Sequence, residues 1–483
     1  MQLIFIPQYI RLMGIEAFGL VGFYLTLQGV LQIFDLGLSP TMNREMARYS
    51  VQAERAGEAR DFARTVEIGY WALGVLIGLS FSAAAPLIAT RWINAQSLPA
   101  STVEQAIALM GVLTILQWPL TLYLGGLMGL QRQVELNVLQ IVLSTLNNGG
   151  AFLVLLLVAP AITAFLLWQI AVNVVRVALI AFLFWRSLPP AKRAPRIAPH
   201  LIRPVWRFAA GMSGITLSAL ILTQLDKVIL SKLLNLEMFG FYTLAAVVGS
   251  GLSLLITSIF NVIFPRLAAL AALGDAVAEK QFFHRGAQVM SVVVLPIAAL
   301  IAFFAFDILR LWTGNVEIAR NVAPIVILLV IGTALNGLMN LPYALQLAHG
   351  WTSLGLRLNA MFIALQVPGL IWMAVEFGAV GAAAVWVILN GIYMLLGVPL
   401  THRRLLIGEA RRWLIEDTLV PGVGVLLVVA AGRMWLTSPM PTLATIAALI
   451  LLLLSAFIAA GLAAQQVRQQ AFARLASVWA RRA

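Results

Sequence analysis

The chain has 483 residues, of which 61% are hydrophobic and only 11% charged, with no cysteine and a formal net charge of +13. Soluble chains carry about 25% charged residues, so this composition excludes a soluble protein, and the lack of cysteine excludes disulfides, thiolate metal sites and cysteine nucleophiles. In a soluble protein the positive charge would point to nucleic acid; here it reads as basic loops that orient a membrane protein, and no nucleic-acid partner is expected.

Apolar runs of about 20 residues recur from end to end, and they predict an all-α polytopic membrane protein with about 14 transmembrane helices. Barrel strands would alternate in short segments, and these runs do not. The start has no basic stretch and no small-residue cleavage site, so no cleavable signal is expected. The first run ends near Met13 and is short; the second covers Ala17 to Leu38. A charged loop is predicted over Asn43 to Arg64, then spans over Val66 to Ala89, Gln105 to Met128, Val138 to Val158, and a sixth ending at Trp185. A Pro- and Arg-rich linker follows. The seventh span is Phe208 to Leu234 and the eighth Met238 to Ile263. The ninth to twelfth fall near Gln288 to Phe306, Val322 to Leu347, Leu354 to Val375 and Gly378 to Leu400, and the last two near Thr418 to Leu436 and Pro441 to Ala464. The expected domains are residues 1–185, an N-terminal six-helix bundle; 186–207, a basic linker; 208–400, a C-terminal six-helix bundle; and 401–483, two extra helices and a basic tail.

Lys and Arg placement gives the orientation. With both termini in the cytoplasm, that side collects Arg44, Arg48, Arg55, Arg60 and Arg64, the linker arginines, and most of the other basic residues among the chain's 32. Arg176 and Lys227 remain inside spans. All four histidines, His200, His284, His349 and His402, fall in predicted cytoplasmic loops, which argues against a histidine relay or metal site within the membrane.

The chain carries an internal repeat. Glu16, Phe18 and Gly19 match Glu237, Phe239 and Gly240 at a shift of 221, and Leu136-Asn137 matches Leu358-Asn359 at a shift of 222. Six-span halves joined by a basic linker are a transporter pattern, with the substrate path between the halves. Only 15 residues precede Glu16, so the first helix is about half the length of its repeat mate. The expectation is a mis-assigned start or a truncated chain, with a half-length helix as the alternative.

Several spans carry polar residues on one helical face. Span two has Gln28, Gln32, Asp35 and Ser39; span six has Gln169, Asn173 and Arg176; span five has Gln140, Ser144 and Asn147. Span seven has Thr223, Lys227 and Ser231, with Asp226 on an adjacent strip; span eight has Ser250, Ser253, Thr257 and Asn261; span ten has Thr333, Asn336, Asn340 and Tyr343. A single Ser or Thr is ordinarily a helix-packing hydrogen bond. Stripes with amides and charges on several spans point instead to a shared water-filled cavity. Hydroxyls and amides suit sugars, while Arg176 and Lys227 suit a phosphate. Arg176 could equally pair with Asp226 or Asp35, and Asp35 could cap a helix.

Two segments carry a family resemblance. Residues 34–49, FDLGLSPTMNREMARY, and residues 224–232, QLDKVILSK, followed by Glu237, Phe239 and Gly240, resemble the Wzx-like polysaccharide or O-antigen flippases of the multidrug/oligosaccharidyl-lipid/polysaccharide (MOP) exporter superfamily. The resemblance implies two six-helix bundles in a V, alternating access, and export of undecaprenyl-pyrophosphate-linked oligosaccharide across the bacterial inner membrane. It implies a transporter rather than an enzyme, membrane lipids and other polysaccharide-assembly proteins as partners, no cofactor, and coupling to a proton or sodium gradient. It places Arg176, Asp226, Lys227 and Asp35 in lumenal roles and Arg44 and Arg48 in gating. A peptidoglycan-precursor flippase shares the same plan; a cation-coupled drug exporter fits an internal Arg and Lys less well. A membrane glycosyltransferase or polymerase would need catalytic carboxylates or a large external loop.

Overall fold

A computed structural model describes residues 2–35, 37–191, 193–202, 224–436 and 441–470. The first part of the seventh expected span, including Thr223, lies outside the described residues, as do Leu36, Lys192, Arg203, Arg207 and the tail beyond residue 470. Helices dominate, as expected of an all-α membrane protein, and the contacts divide the chain into two compact units, Met1–Gly240 and Phe241–Ala483.

In the first unit, α1 (Gln2–Met13) leads into α2 (Ile15–Leu31), which tightens to a 3₁₀ turn at Gln32–Asp35. Then come α3 (Leu38–Tyr49), α4 (Ala56–Ala83), α5 (Ala85–Arg91), α6 (Ala100–Gly129), α7 (Gln133–Leu157), α8 (Ile162–Ser187) and α9 (residues 224–233). α10 (Leu236–Leu273) begins there and continues into the second unit. The second unit continues with α11 (Ala276–Phe303), α12 (Ala305–Thr313), α13 (Val316–Ala348) and α14 (Thr352–Arg404). α15 (Ala410–Arg412), a π-helical turn over Trp413–Leu419 and α16 (Val420–Trp435) follow, and α17 (Thr442–Ala463) ends the series.

Among the described residues, ten helices are long and apolar enough to cross a membrane. The 53-residue α14 is two such helices joined at Gly378, whose φ of 60° and ψ of −143° leave the helical region. Only glycine adopts that conformation without a Cβ clash, and the bend falls between the eleventh and twelfth expected spans. α2 has 17 residues and is shorter.

The region Asn43 to Arg64 is a correction to the sequence reading. It is mostly helical, not a loop: α3 runs to Tyr49 and α4 begins at Ala56. Its apolar residues recur on one face, and Met42, Met46 and Tyr49 are buried with Phe62, Tyr123, Leu127 and Phe184 in the core of unit 1. The charged residues that suggested a loop occupy the other face. The expected linker is likewise docked. Asp61, on α4, receives the Arg193 guanidinium at 2.5 Å and the Arg196 backbone N–H at 2.8 Å.

The repeated motif has a structural meaning. A methyl group on Gly19 would lie 2.5 Å from the Leu236 carbonyl oxygen, and one on Gly240 would lie 2.6 Å from the Ile15 carbonyl oxygen. Each glycine therefore receives the backbone just before the other copy's glutamate. Missing side chains let membrane helices approach this closely, and Phe18 and Phe239 are both buried beside the crossing. Glu16 itself accepts backbone N–H bonds from Gln96, Ser97 and Leu98, at 2.8–2.9 Å.

The histidines are a second correction. Among them, His284 lies within α11 and His402 within α14, and both are almost fully buried. His284 bridges two carboxylates, with Nδ1 2.5 Å from Asp417 and Nε2 3.0 Å from Glu409. The carboxylates that hold His284 come from more than a hundred residues away, whereas the His402 ring bonds the Val398 carbonyl of its own helix.

Candidate functional site

The second-span stripe lines a cavity of about 370 Å³ inside unit 1. α2, the 3₁₀ turn and α3 contribute Gln28, Gln32, Asp35 and Ser39 to its lining, and α6 contributes Thr114 and Gln117. Asp35 stands in the cavity lining and accepts two hydrogen bonds. One carboxylate oxygen accepts the Ser39 backbone N–H at 3.3 Å, satisfying a free donor at the start of α3. The other accepts the hydroxyl of Tyr70 on α4. Ser39 donates to the Thr121 carbonyl at 2.9 Å, tying α3 to α6. Trp118 lines the same cavity, and its buried indole N–H has no partner among the described residues. The cavity lining thus includes amide and hydroxyl side chains and one carboxylate among apolar surface, and such groups can hydrogen-bond polyhydroxylated ligands.

Neither Arg176 nor Lys227 lines that cavity. On α8, Gln169, Asn173 and Arg176 do share one face, with the Asn173 amide donating to the Gln169 carbonyl at 2.8 Å. The Asn173 side-chain oxygen and Arg176 Nε are buried without a partner among the described residues. Arg176 forms no salt bridge with a carboxylate among the described residues. On α9, Lys227 touches the Gln224 side chain at 3.5 Å, and Asp226 is half-buried. Arg176 sits within the membrane-length α8 and has no carboxylate partner among the described residues; an unpaired cation inside a span is costly and ordinarily marks a ligand path.

The other candidates divide differently. Asn336 and Asn340 belong to unit 2. Asn336 donates to Asn390 on α14 at 2.9 Å, and Asn340 donates back to the Asn336 carbonyl at 2.9 Å. With Trp386 donating to Thr333 at 3.3 Å, this stripe joins α13 to α14. Arg44 and Arg48 lie on the outer face of α3, each about half-exposed, at 4.0 and 3.1 Å from the buried Glu45.

Several polar groups at this site were missed from sequence. Thr114, Gln117 and Thr121 recur at helical spacing on span four, and the same test that found span two would have found them. Tyr70 and Glu67 gave no such signal. Glu67 is buried, accepting from Tyr123 at 2.7 Å, Trp185 at 2.9 Å and Arg64 at 2.7 Å. A lone Glu on an apolar helix cannot announce three partners that come from α4, α6 and α8.

Ten membrane-length helices among the described residues, distributed over two units of which the first holds an open cavity, define a polytopic helical membrane protein. The family model for polysaccharide biosynthesis proteins matches residues 1–271, more than half the chain, and the chain belongs to that family. A curated Shigella flexneri protein assigned as an O-antigen transporter is 20% identical over 377 residues, covering 78% of this chain and 87% of that protein. Among solved structures, the lipid II flippase MurJ in an inward closed conformation superposes with a TM-score of 0.64 at 12% identity, covering 95% of this chain and 98% of that one. An inward-facing multidrug resistance MATE transporter of the MOP superfamily gives 0.67 at 14% identity, covering 85% and 96%. These matches agree with the Wzx-like, MOP-superfamily resemblance carried by residues 34–49 and 224–232, and with a transporter rather than an enzyme.

Proposed function

We propose that this protein flips undecaprenyl-pyrophosphate-linked oligosaccharide units across the bacterial inner membrane by alternating access, with both termini in the cytoplasm. The observation that carries this reading is two cations in unit 1, Arg176 within the membrane-length α8 and Lys227 on α9, with no carboxylate partner among the described residues. A pyrophosphate is the part of such a substrate that needs cations, and a guanidinium binds phosphate oxygens through parallel donors. The hydroxyl- and amide-lined cavity of unit 1 supplies groups of the kind that bind sugars. Family membership and the O-antigen assignment of the Shigella relative support a saccharide cargo. Other polysaccharide-assembly proteins and membrane lipids are the expected partners.

A lipid-linked peptidoglycan precursor carries the same pyrophosphate, so cations alone do not separate the two cargoes. Proteoliposomes loaded with each lipid in turn do. The proposal expects faster flipping of the lipid-linked oligosaccharide, and equal or faster flipping of the peptidoglycan precursor overturns it. For ion coupling the candidate is Asp35, a carboxylate held by Tyr70 and the α3 backbone at the cavity wall. Protonation or sodium binding there would change the hydrogen bonds that fix α3 against α4.

A further inference from the structure

Unit 2 contains a polar pocket of about 550 Å³, lined by residues given no transport role above. Its walls carry Arg266 from the end of α10, Arg285 from α11 and Arg412 from α15, with Gln281, Gln466 and Gln469 between them. Among the described residues no carboxylate lines it. Elsewhere in the chain arginines find acids: Arg48, Arg64, Arg132, Arg193 and Arg433 each lie within 3.1 Å of one. Arg412 also does, reaching Glu416 at 3.2 Å. Arg266 and Arg285 have no such partner among the described residues. Like charges converging on one concavity repel, and an anion between them removes that cost.

The pocket is built, not a chance gap between mobile side chains. Gln288 of α11 accepts the Gln466 backbone N–H at 2.8 Å and donates to the buried Asp417 at 2.9 Å. Asp417 and Glu409 hold His284 between them, and Lys280 and Arg412 reach Glu409 in turn. The wall that carries Arg412 and Gln466 is thereby fixed to α11. The depth is that of headgroups. Arg266 stands 30 residues after Leu236 on one helix, about 45 Å along the axis, past a hydrocarbon core of about 30 Å. The arginine-rich side of the chain is the side assigned to the cytoplasm. The pocket also has an apolar edge, with Leu270 and Phe282 in its lining and Val262 and Leu273 exposed on the same helix.

We propose that this pocket binds the phosphate headgroup of an anionic lipid, with Arg266 and Arg285 as its principal donors and an acyl chain along α10. Basic pockets between membrane helices on the cytoplasmic side are suited to such headgroups. The inference concerns a lipid held beside unit 2 and stands whether or not the transport reading does.

The test uses the full-length protein in a neutral detergent, with retained lipid read by native mass spectrometry. Cardiolipin, phosphatidylglycerol and phosphatidylcholine are offered separately, and inorganic phosphate and pyrophosphate serve as competitors. The expected result is preferential retention of the two anionic lipids, reduced roughly 10- to 30-fold in the Arg266→Gln/Arg285→Gln variant. Arg357→Gln, an exposed arginine outside the pocket, should leave retention unchanged. If the double variant does not fold, Arg266→Gln alone, at an exposed position, should lower retention several-fold. Retention by the double variant equal to wild type overturns the proposal. Complete displacement by millimolar phosphate also overturns it, because that marks a free-anion site and not a lipid site.

Discussion

The crossing of the two motif copies yields the most quantitative expectation. In Gly240→Ala the new methyl meets the Ile15 carbonyl oxygen at 2.6 Å, whereas relaxed C–H···O contacts lie at about 3.3–3.6 Å. The neighbour is backbone, so no rotamer change relieves the clash, and the helices must part by roughly 0.7 Å or more. Overpacking of this kind costs about 1–3 kcal/mol. Gly19→Ala meets the Leu236 carbonyl oxygen at 2.5 Å and should cost a similar amount. One separation relieves both contacts, so the double variant should cost less than the sum of the singles. Gly69, exposed on α4 with nothing within 4 Å of an added Cβ, is the internal control. Its alanine variant should be neutral or stabilising by about 0.5–1 kcal/mol, because alanine favours helix. Thermal unfolding of purified protein in detergent, followed by intrinsic tryptophan fluorescence, reads all four variants. If Gly240→Ala melts no earlier than Gly69→Ala, the crossing does not work as described.

Three further expectations concern individual carboxylates. Asp35→Asn should abolish any acceleration of transport by an imposed proton or sodium gradient in proteoliposomes, and a wild-type response to both gradients would remove Asp35 from coupling. Asp61→Ala releases Arg193 and the Arg196 backbone from α4. Arg193 is about half-exposed, so the loss is put at about 1–2 kcal/mol, and trypsin cleavage after Arg193 or Arg196 should speed roughly 5- to 30-fold; an unchanged rate counts against docking of this segment. At Glu409 burial opposes the charge, but the Lys280 hydrogen bond and charge, together with His284, hold the carboxyl below its ordinary range. A depressed folded-state pKa gives stability that is present above the unfolded value, about 4.3, and lost as pH falls through the folded one. Glu409→Gln should therefore narrow the stability gap to wild type as pH drops below about 4, and a gap that widens on acidification would contradict the assignment.

What could be read from the sequence followed from periodicity. Gln28, Gln32, Asp35 and Ser39 stand on one face because their spacing is helical, and the same face lines the cavity. The repeat of Glu16 and Glu237 was legible, but not its use, since the contact of Gly19 with Leu236 joins residues more than two hundred positions apart. Asn336 looked like Gln32 on paper; a partner at Asn390 turned it into a packing contact. The Asn43 to Arg64 region failed for a related reason. Its charges outweighed the spaced Met42, Met46 and Tyr49 in any count of hydropathy, although those three side chains decide the local structure. Charge tallies likewise placed His284 in a loop, when two acids supplied from beyond α14 bury it.

The central claim is that Arg176 and Lys227 serve the cargo. The most direct measurement is the flipping rate of undecaprenyl-pyrophosphate-linked oligosaccharide in proteoliposomes containing wild type, Arg176→Ala, Lys227→Ala or both substitutions, at equal protein insertion. Hydrogen bonds to charged groups are worth about 1.5–3 kcal/mol, so each single substitution should slow flipping roughly 10- to 100-fold, and the pair should slow it further. Wild-type flipping by the doubly substituted protein would contradict the account.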